Sequence, residues 1–207
     1  ARSDSEFPEI ILNSVAVPDF ISDEKNLKTV LNILNKRIKL LEKFNPVCFG
    51  IACNTAHLLL KDLQFNTNIP FVSIIDEIVK NIREKKIKKV GLLASPTTIK
   101  TGLYQNKLSI VNIELIIPQE KEILVVESVI RNVLAGKIIK EDQRKLILIA
   151  ESLTQIGAEG IILGCTELPL IFPKKFNLPV FDSIEILARA LAKKAYETSS
   201  KNAIINL

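Results

Sequence analysis

The chain has 207 residues, 47% of them hydrophobic and 25% charged, enough for a real core in one domain or two small lobes. That excludes a disordered tail, a disulfide-stapled miniprotein and a repeat array, and no run of about 18 apolar residues is free of charge, which excludes a membrane-spanning helix. The net charge of +5 comes from 28 Lys and Arg dispersed among 23 Asp and Glu, so no basic face for nucleic acid is expected.

The opening Ala1-Arg2-Ser3-Asp4-Ser5-Glu6 is polar and lacks the apolar core of a signal peptide. Three Cys, an odd number without a secretory signal, read as free thiols in a reducing cytoplasm. There is no Met, even at position 1, so the chain is expected not to begin where translation began. A strand is predicted over residues 9–15. A helix follows over 23–44, with Leu27, Val30, Leu31, Leu34, Ile38 and Leu41 on one face. Strands over 46–52 and 69–74 come next, then a helix from Asp76. The run Lys85-Lys86-Ile87-Lys88-Lys89 reads as a solvated helix end and turn before a strand over 89–94. Further strands are predicted over 111–117, 158–163 and 178–182. Gly136 reads as a turn ahead of a helix over 140–156. Most of these strands are apolar throughout, as suits a parallel sheet covered on both faces, and their alternation with helices marks an α/β fold.

Two stretches repeat the same layout. Pro46-Val47-Cys48-Phe49-Gly50-Ile51-Ala52-Cys53-Asn54-Thr55 is followed by a short apolar helix, by Ile69-Pro70-Phe71-Val72-Ser73 and by a helix. Ala158-Glu159-Gly160-Ile161-Ile162-Leu163-Gly164-Cys165-Thr166-Glu167 is followed by a short segment, by Leu178-Pro179-Val180-Phe181-Asp182 and by a helix. Each copy puts a cysteine, with a threonine within two residues, where an apolar strand gives way to a helix. The duplication predicts two similar flavodoxin-like lobes related by a pseudo-two-fold axis, packed without a flexible linker. Residues 1–70 with 178–207 form one lobe and 71–177 the other. In the second copy a strand, Lys89-Val90-Gly91-Leu92-Leu93-Ala94, stands well ahead of Cys165. The same spacing counted back from Cys53 falls before residue 1, so the first strand of the amino-terminal lobe is expected to be missing.

Carboxyl ends of parallel strands are where open α/β sheets bind ligands, and the helix starts that follow favour anions. The same field is expected to lower a thiol pKa from its ordinary value of about 8.5. Two cysteines at mirrored places would aim two thiols at one cleft. One thiolate could take a proton from a stereocentre while the opposed thiol returns one to the other face. Identical groups have matched proton affinities, which a symmetric reaction needs, and such a pair titrates as a unit.

Ala52-Cys53-Asn54-Thr55-Ala56-His57 and Gly164-Cys165-Thr166-Glu167 resemble the paired signatures of the aspartate/glutamate racemase family, on its aspartate racemase side. The first eight residues, the Val17-Pro18-Asp19 turn and Gly91-Leu92-Leu93-Ala94 with Thr97-Thr98 are similar to that family's segments, so the resemblance spans nearly the whole chain. It implies a cofactor-independent, usually dimeric amino-acid racemase with Cys53 and Cys165 as paired acid and base. It also implies that Asn54, Thr55 and Ala56, with Thr166 and Glu167, surround the substrate's amino and carboxylate groups, and that Ser95, Thr97 and Thr98 line the same cleft. Two departures stand out. The family's Gly-Gly-containing amino-terminal strand has no counterpart. Where acid-specific members carry an Arg after the Pro-Asp pair and a Lys before the Ala-Gly turn, this chain has Phe20 and Leu134, with Lys137 nearby. Phe cannot grip a carboxylate with two charge-assisted bonds.

Other readings stand beside these. Cys48, mid-strand, reads as a small core hydrophobe. His57 can share a helix face with Cys53, either bearing on the thiol directly or supporting it from behind, and no metal site is expected. Glu167 can bind a substrate ammonium or simply stabilise a helix start, while Thr97 and Thr98 can be plain caps. No Gly-rich phosphate cradle marks a pyridoxal site, so no cofactor is expected. The expected activity is racemisation of aspartate or glutamate. The alternatives are a broad-specificity or neutral amino-acid racemase and a non-catalytic small-ligand binder.

Overall fold

A computed structural model describes residues 7–22 and 24–205, with the side chains of 199–205 left aside. Its centre is a four-stranded parallel sheet of β3 (Lys89–Ala94), β4 (Glu114–Ile116), β5 (Ile161–Gly164) and β6 (Val180–Asp182), in the order β4-β3-β5-β6. β3 and β5 are buried almost throughout, as their Val, Ile and Leu content requires of strands covered on both faces. From β3 the chain turns to one side for β4, then crosses back to β5 and β6. The strand order therefore reverses between β3 and β5, where doubly wound sheets open a crevice at their carboxyl ends. Ala94 pairs with Gly164 across that reversal, so Ser95 and Cys165 leave the sheet side by side.

Close approach is built into this point. A Cβ on Gly164 would lie 2.8 Å from Leu92 Cδ1 and 3.1 Å from Ala94 Cβ. Gly164→Ala is therefore expected to cost about 1–3 kcal/mol of stability through overpacking. Its urea midpoint should fall, and an unchanged midpoint would show that Leu92 and Ala94 yield to the added methyl without cost.

A second parallel pair joins β1 (Phe49–Gly50) to β2 (Phe71–Val72). The Phe49 and Phe71 rings lie 5.3 Å apart, and α1 (Leu27–Leu41) covers them with Val30 and Ile38. The two cysteine-bearing segments share one backbone bond. Phe49 N–H donates to Pro70 O at 2.9 Å, and Ile161 N–H donates to Pro179 O at 2.9 Å, in each copy just ahead of its cysteine. α2 (Leu60–Phe65) and α3 (Ile74–Glu84) follow Cys53 and β2. α4 (Pro96–Lys100) and α5 (Leu103–Ile110) join β3 to β4, and α6 (Glu120–Leu134) and α7 (Lys140–Gln155) join β4 to β5. α8 (Leu168–Ile171) follows Cys165, and α9 (Ser183–Ile205) lies against both sheets.

The expected strand over 9–15 is a correction: those residues run without strand pairing, with Ile10 80% and Leu12 87% exposed. Their apolar pattern finds no sheet neighbour among the described residues, and a strand needs one to satisfy its backbone. The helix expected over 23–44 is α1 closed by a tight turn at Glu42–Phe44, with Asp23 outside the described residues. Of the opening segment likened to the family, residues 1–6 also lie outside them. Strand pairing joins Phe71–Val72 to Phe49–Gly50 in the smaller sheet and Val180–Asp182 to Ile161–Leu163 in the larger one. Gly136 makes its turn at φ 74°, a left-handed conformation that suits glycine. No helix among the described residues is long and apolar enough to cross a membrane.

Candidate active site

The backbone turns abruptly after β1, so Cys53, Asn54, Thr55 and Ala56 sit at a helical start that faces β5's own exit at Cys165, Thr166 and Glu167. All seven residues line one open cavity of about 770 Å³. Ser95, Thr97 and Thr98 do not reach its wall. Ser95 Oγ, Thr98 Oγ1 and Thr55 Oγ1 form a buried triangle, with separations of 3.1 Å from Thr55 to Ser95, 2.9 Å from Thr55 to Thr98 and 3.0 Å from Ser95 to Thr98. Ser95 also caps α4 by accepting from Thr98 N–H at 3.3 Å. Thr97 grips a different partner: its Oγ1 donates to Ile21 O at 2.7 Å, and its backbone N–H donates to the same oxygen at 3.1 Å.

The electrostatics of the thiols correct the expected lowering. Burial pushes the Cys53 thiol above its ordinary range, and the Glu167 carboxylate adds to that against the Ala56 and Thr55 backbone N–H groups. Cys165 is held well above its range, first by burial and then by Glu167, with the Glu167 backbone N–H opposing. Its Sγ–H donates to Glu167 Oε2 at 2.9 Å, and Thr166 Oγ1 donates to the same oxygen at 2.8 Å. Helix-start amides are present at both sulfurs, but desolvation of a thiolate and the Glu167 carboxylate outweigh them.

His57 supports the site from behind. Ile74 N–H donates to its Nε2 at 2.9 Å, so Nδ1 carries the proton and donates to Cys53 O, also at 2.9 Å. Both ring nitrogens are committed to backbone, and the imidazole ties the Cys53 loop to the start of α3. Among the described residues no group of three His, Cys, Asp or Glu comes together as a metal-binding cluster. Burial pushes the His57 pKa below its usual value, against a smaller opposing effect of the Cys53 carbonyl and Asp76. A base whose folded pKa is depressed stabilises the fold fully above its unfolded pKa of about 6.5 and loses that contribution as pH falls towards the folded value. The urea midpoint should drop between pH 7 and pH 5. His57→Asn should flatten that drop, and an equal drop in both proteins would remove His57 as its cause.

Several residues that sequence patterns did not single out shape the cavity. Arg131 and Arg37 lie in its wall beside Phe20 and Leu134. Arg131 reaches Asp19 Oδ2 at 3.1 Å and Glu127 Oε1 at 2.9 Å, and its remaining nitrogen meets Ser22 Oγ. Phe20, 8% exposed, packs into the core under α1. Tyr104 and Ser183 hold the Asn54 side chain. The Arg131–Asp19, Arg131–Ser22, Tyr104–Asn54 and Asn54–Ser183 contacts join distant parts of the chain, so no local spacing announces them.

Known proteins share this fold. An aspartate racemase homologue from Pyrococcus horikoshii OT3 superposes with a TM-score of 0.78 at 32% identity, covering 93% of this chain and 86% of that one. The Picrophilus torridus aspartate racemase does so with a TM-score of 0.77 at 30% identity, covering 94% and 83%. The broad specificity amino-acid racemase RacX of Bacillus subtilis (strain 168) is 25% identical over 194 residues, 92% of this chain and 83% of its own length. Residues 1–191 match the family described as Asp/Glu/Hydantoin racemase, and this chain belongs to it.

Proposed function

We propose that this chain is a cofactor-independent amino-acid racemase that moves a proton at Cα between Cys53 and Cys165, with aspartate or glutamate as substrate. The observation that carries this reading is that both thiols line one cavity from the ends of duplicated strands. With no substrate bound, burial and Glu167 keep both sulfurs protonated. An amino acid brings an ammonium, which Glu167 can pair with. That pairing offsets the negative charge facing Cys165 and lowers the cost of a thiolate. The thiolate takes the Cα proton and the opposed thiol protonates the other face. Backbone N–H groups at the two helix starts and the free Asn54 N–H hold the carboxylate as charge develops on it. The two sheets would correspond to two lobes, and the implied homodimer and cytoplasmic setting belong to the same reading.

One observation favours a broader substrate range. The Arg131 fork is filled by Asp19, Glu127 and Ser22, and Phe20 is apolar, which leaves Arg37 as the wall's other basic group. Purified protein without added cofactor is to be given L-aspartate, L-glutamate and L-alanine in turn, with optical rotation followed. The acid-specific reading expects aspartate or glutamate to racemise at least about tenfold faster than alanine, since an unmatched carboxylate site discriminates strongly. Comparable rates on all three would favour the broad range, and none on any would leave a non-catalytic binder.

A further inference from the structure

Behind the cavity wall lies a group with no part in the proton transfer between the cysteines. Tyr104, on α5, is fully buried, and its hydroxyl donates to Asn54 Oδ1 at 2.6 Å. Asn54 Nδ2 donates in turn to Ser183 Oγ at 2.9 Å, at the start of α9. A carboxamide has two N–H donors, so one remains for the cavity that Asn54 lines. The same tyrosine touches the other cysteine loop: its Cε2 lies 3.3 Å from where a Cβ on Gly164 would stand, next to Cys165. Burial, reinforced by Cys165, holds the phenol protonated well above its ordinary range, so it donates to the amide oxygen. That fixes which end of the amide meets Tyr104 and which meets Ser183, and a donor on the carbonyl oxygen strengthens the remaining N–H.

We propose that Tyr104 is a positioning residue whose hydroxyl orients Asn54 beside Cys53 while its ring seats the Gly164-Cys165 turn, so that one side chain sets both thiol-bearing loops. The kinetic consequence rests on the racemase reading, whereas the spacing of the loops does not.

Tyr104→Phe removes the hydroxyl and keeps the ring, and Tyr104→Leu removes both. Tyr104→Phe is expected to lower kcat about tenfold with KM within about twofold, the pattern of a lost transition-state interaction. It should add nothing once Asn54→Ala is present, because both act through one group. A wild-type kcat, or effects that multiply in the double variant, would overturn the proposal. A second readout needs no activity. In a Cys48→Ser background, dibromobimane fluoresces only when it has bridged two thiols, which would be Cys53 and Cys165. Bridging is expected to slow about twofold in Tyr104→Phe and about fivefold in Tyr104→Leu, as loops held within about 0.5 Å loosen. Unchanged bridging in the folded variants, or none with Tyr104 in place, would overturn it. Should Tyr104→Leu fail to fold, Tyr104→Phe decides. Slowed bridging in a protein that exchanges no amino acid would sink the racemase reading and leave the role of Tyr104 standing.

Discussion

Cys53→Ala and Cys165→Ala should each lower interconversion of the enantiomers by about 10³-fold or more, in both directions, while lowering the urea midpoint only modestly. Loss of a general acid or base costs about 10²–10⁴-fold, and a two-base reaction needs both groups in every turnover. Both sulfurs line the cavity, but Cys165 also packs in the core beside β5 and Cys53 against the core under α1, so each substitution is expected to cost about 1 kcal/mol of stability. The variants should differ in what survives. Each keeps one sulfur on one face of Cα, so residual exchange with solvent should be confined to one enantiomer, and to opposite enantiomers in the two variants. Racemisation at the wild-type rate in either one would mean that its sulfur is not an acid or base in the reaction.

Glu167→Gln should pull two measurements in opposite directions. The Glu167 carboxylate and its bond from Sγ–H help hold the Cys165 thiol up. Removing a negative neighbour lowers a thiol pKa, so alkylation of Cys165 by iodoacetamide at pH 7 should rise on the order of tenfold. Racemisation should nonetheless fall roughly 10²-fold, because the partner of the substrate ammonium is gone. The glutamine keeps an oxygen able to accept the Thr166 hydroxyl, so the turn itself survives. Peptide mapping by mass spectrometry separates Cys165 from Cys53 and Cys48. Slower alkylation of Cys165 would show that Glu167 promotes the thiolate, the reverse of what a negative neighbour does to a thiol.

Much of the fold was legible in the sequence because the buried strands β3 and β5 are apolar runs with few rival interpretations. The repeated layout around the cysteines is legible in the sequence, and in each copy the residue four before the cysteine, Phe49 or Ile161, donates to a proline carbonyl. Residues 9–15 misled for a physical reason: Ile10, Leu12 and Val15 have the composition of a strand, but pairing depends on a neighbour that composition cannot supply. β2 and β6 are short, and the sheet a short strand joins is decided by its partner and not by its own residues. At the site, the two cysteine motifs could be placed from spacing alone. The direction of the thiol shifts could not, since it depends on how much water the fold excludes and on where Glu167 points. Tyr104 and Asn54 are 50 residues apart, and Arg131 and Asp19 are 112 apart, so their pairing exists only once the chain has folded.

The most direct test is a first-turnover experiment in deuterium oxide with a single enantiomer of the substrate, sampled before a tenth has reacted. Two sulfurs on opposite faces predict that the newly formed enantiomer carries deuterium at Cα while the recovered starting enantiomer keeps its protium. Deuterium appearing equally in both from the earliest samples would mean one exchangeable base serving both faces, and would contradict the two-base reaction.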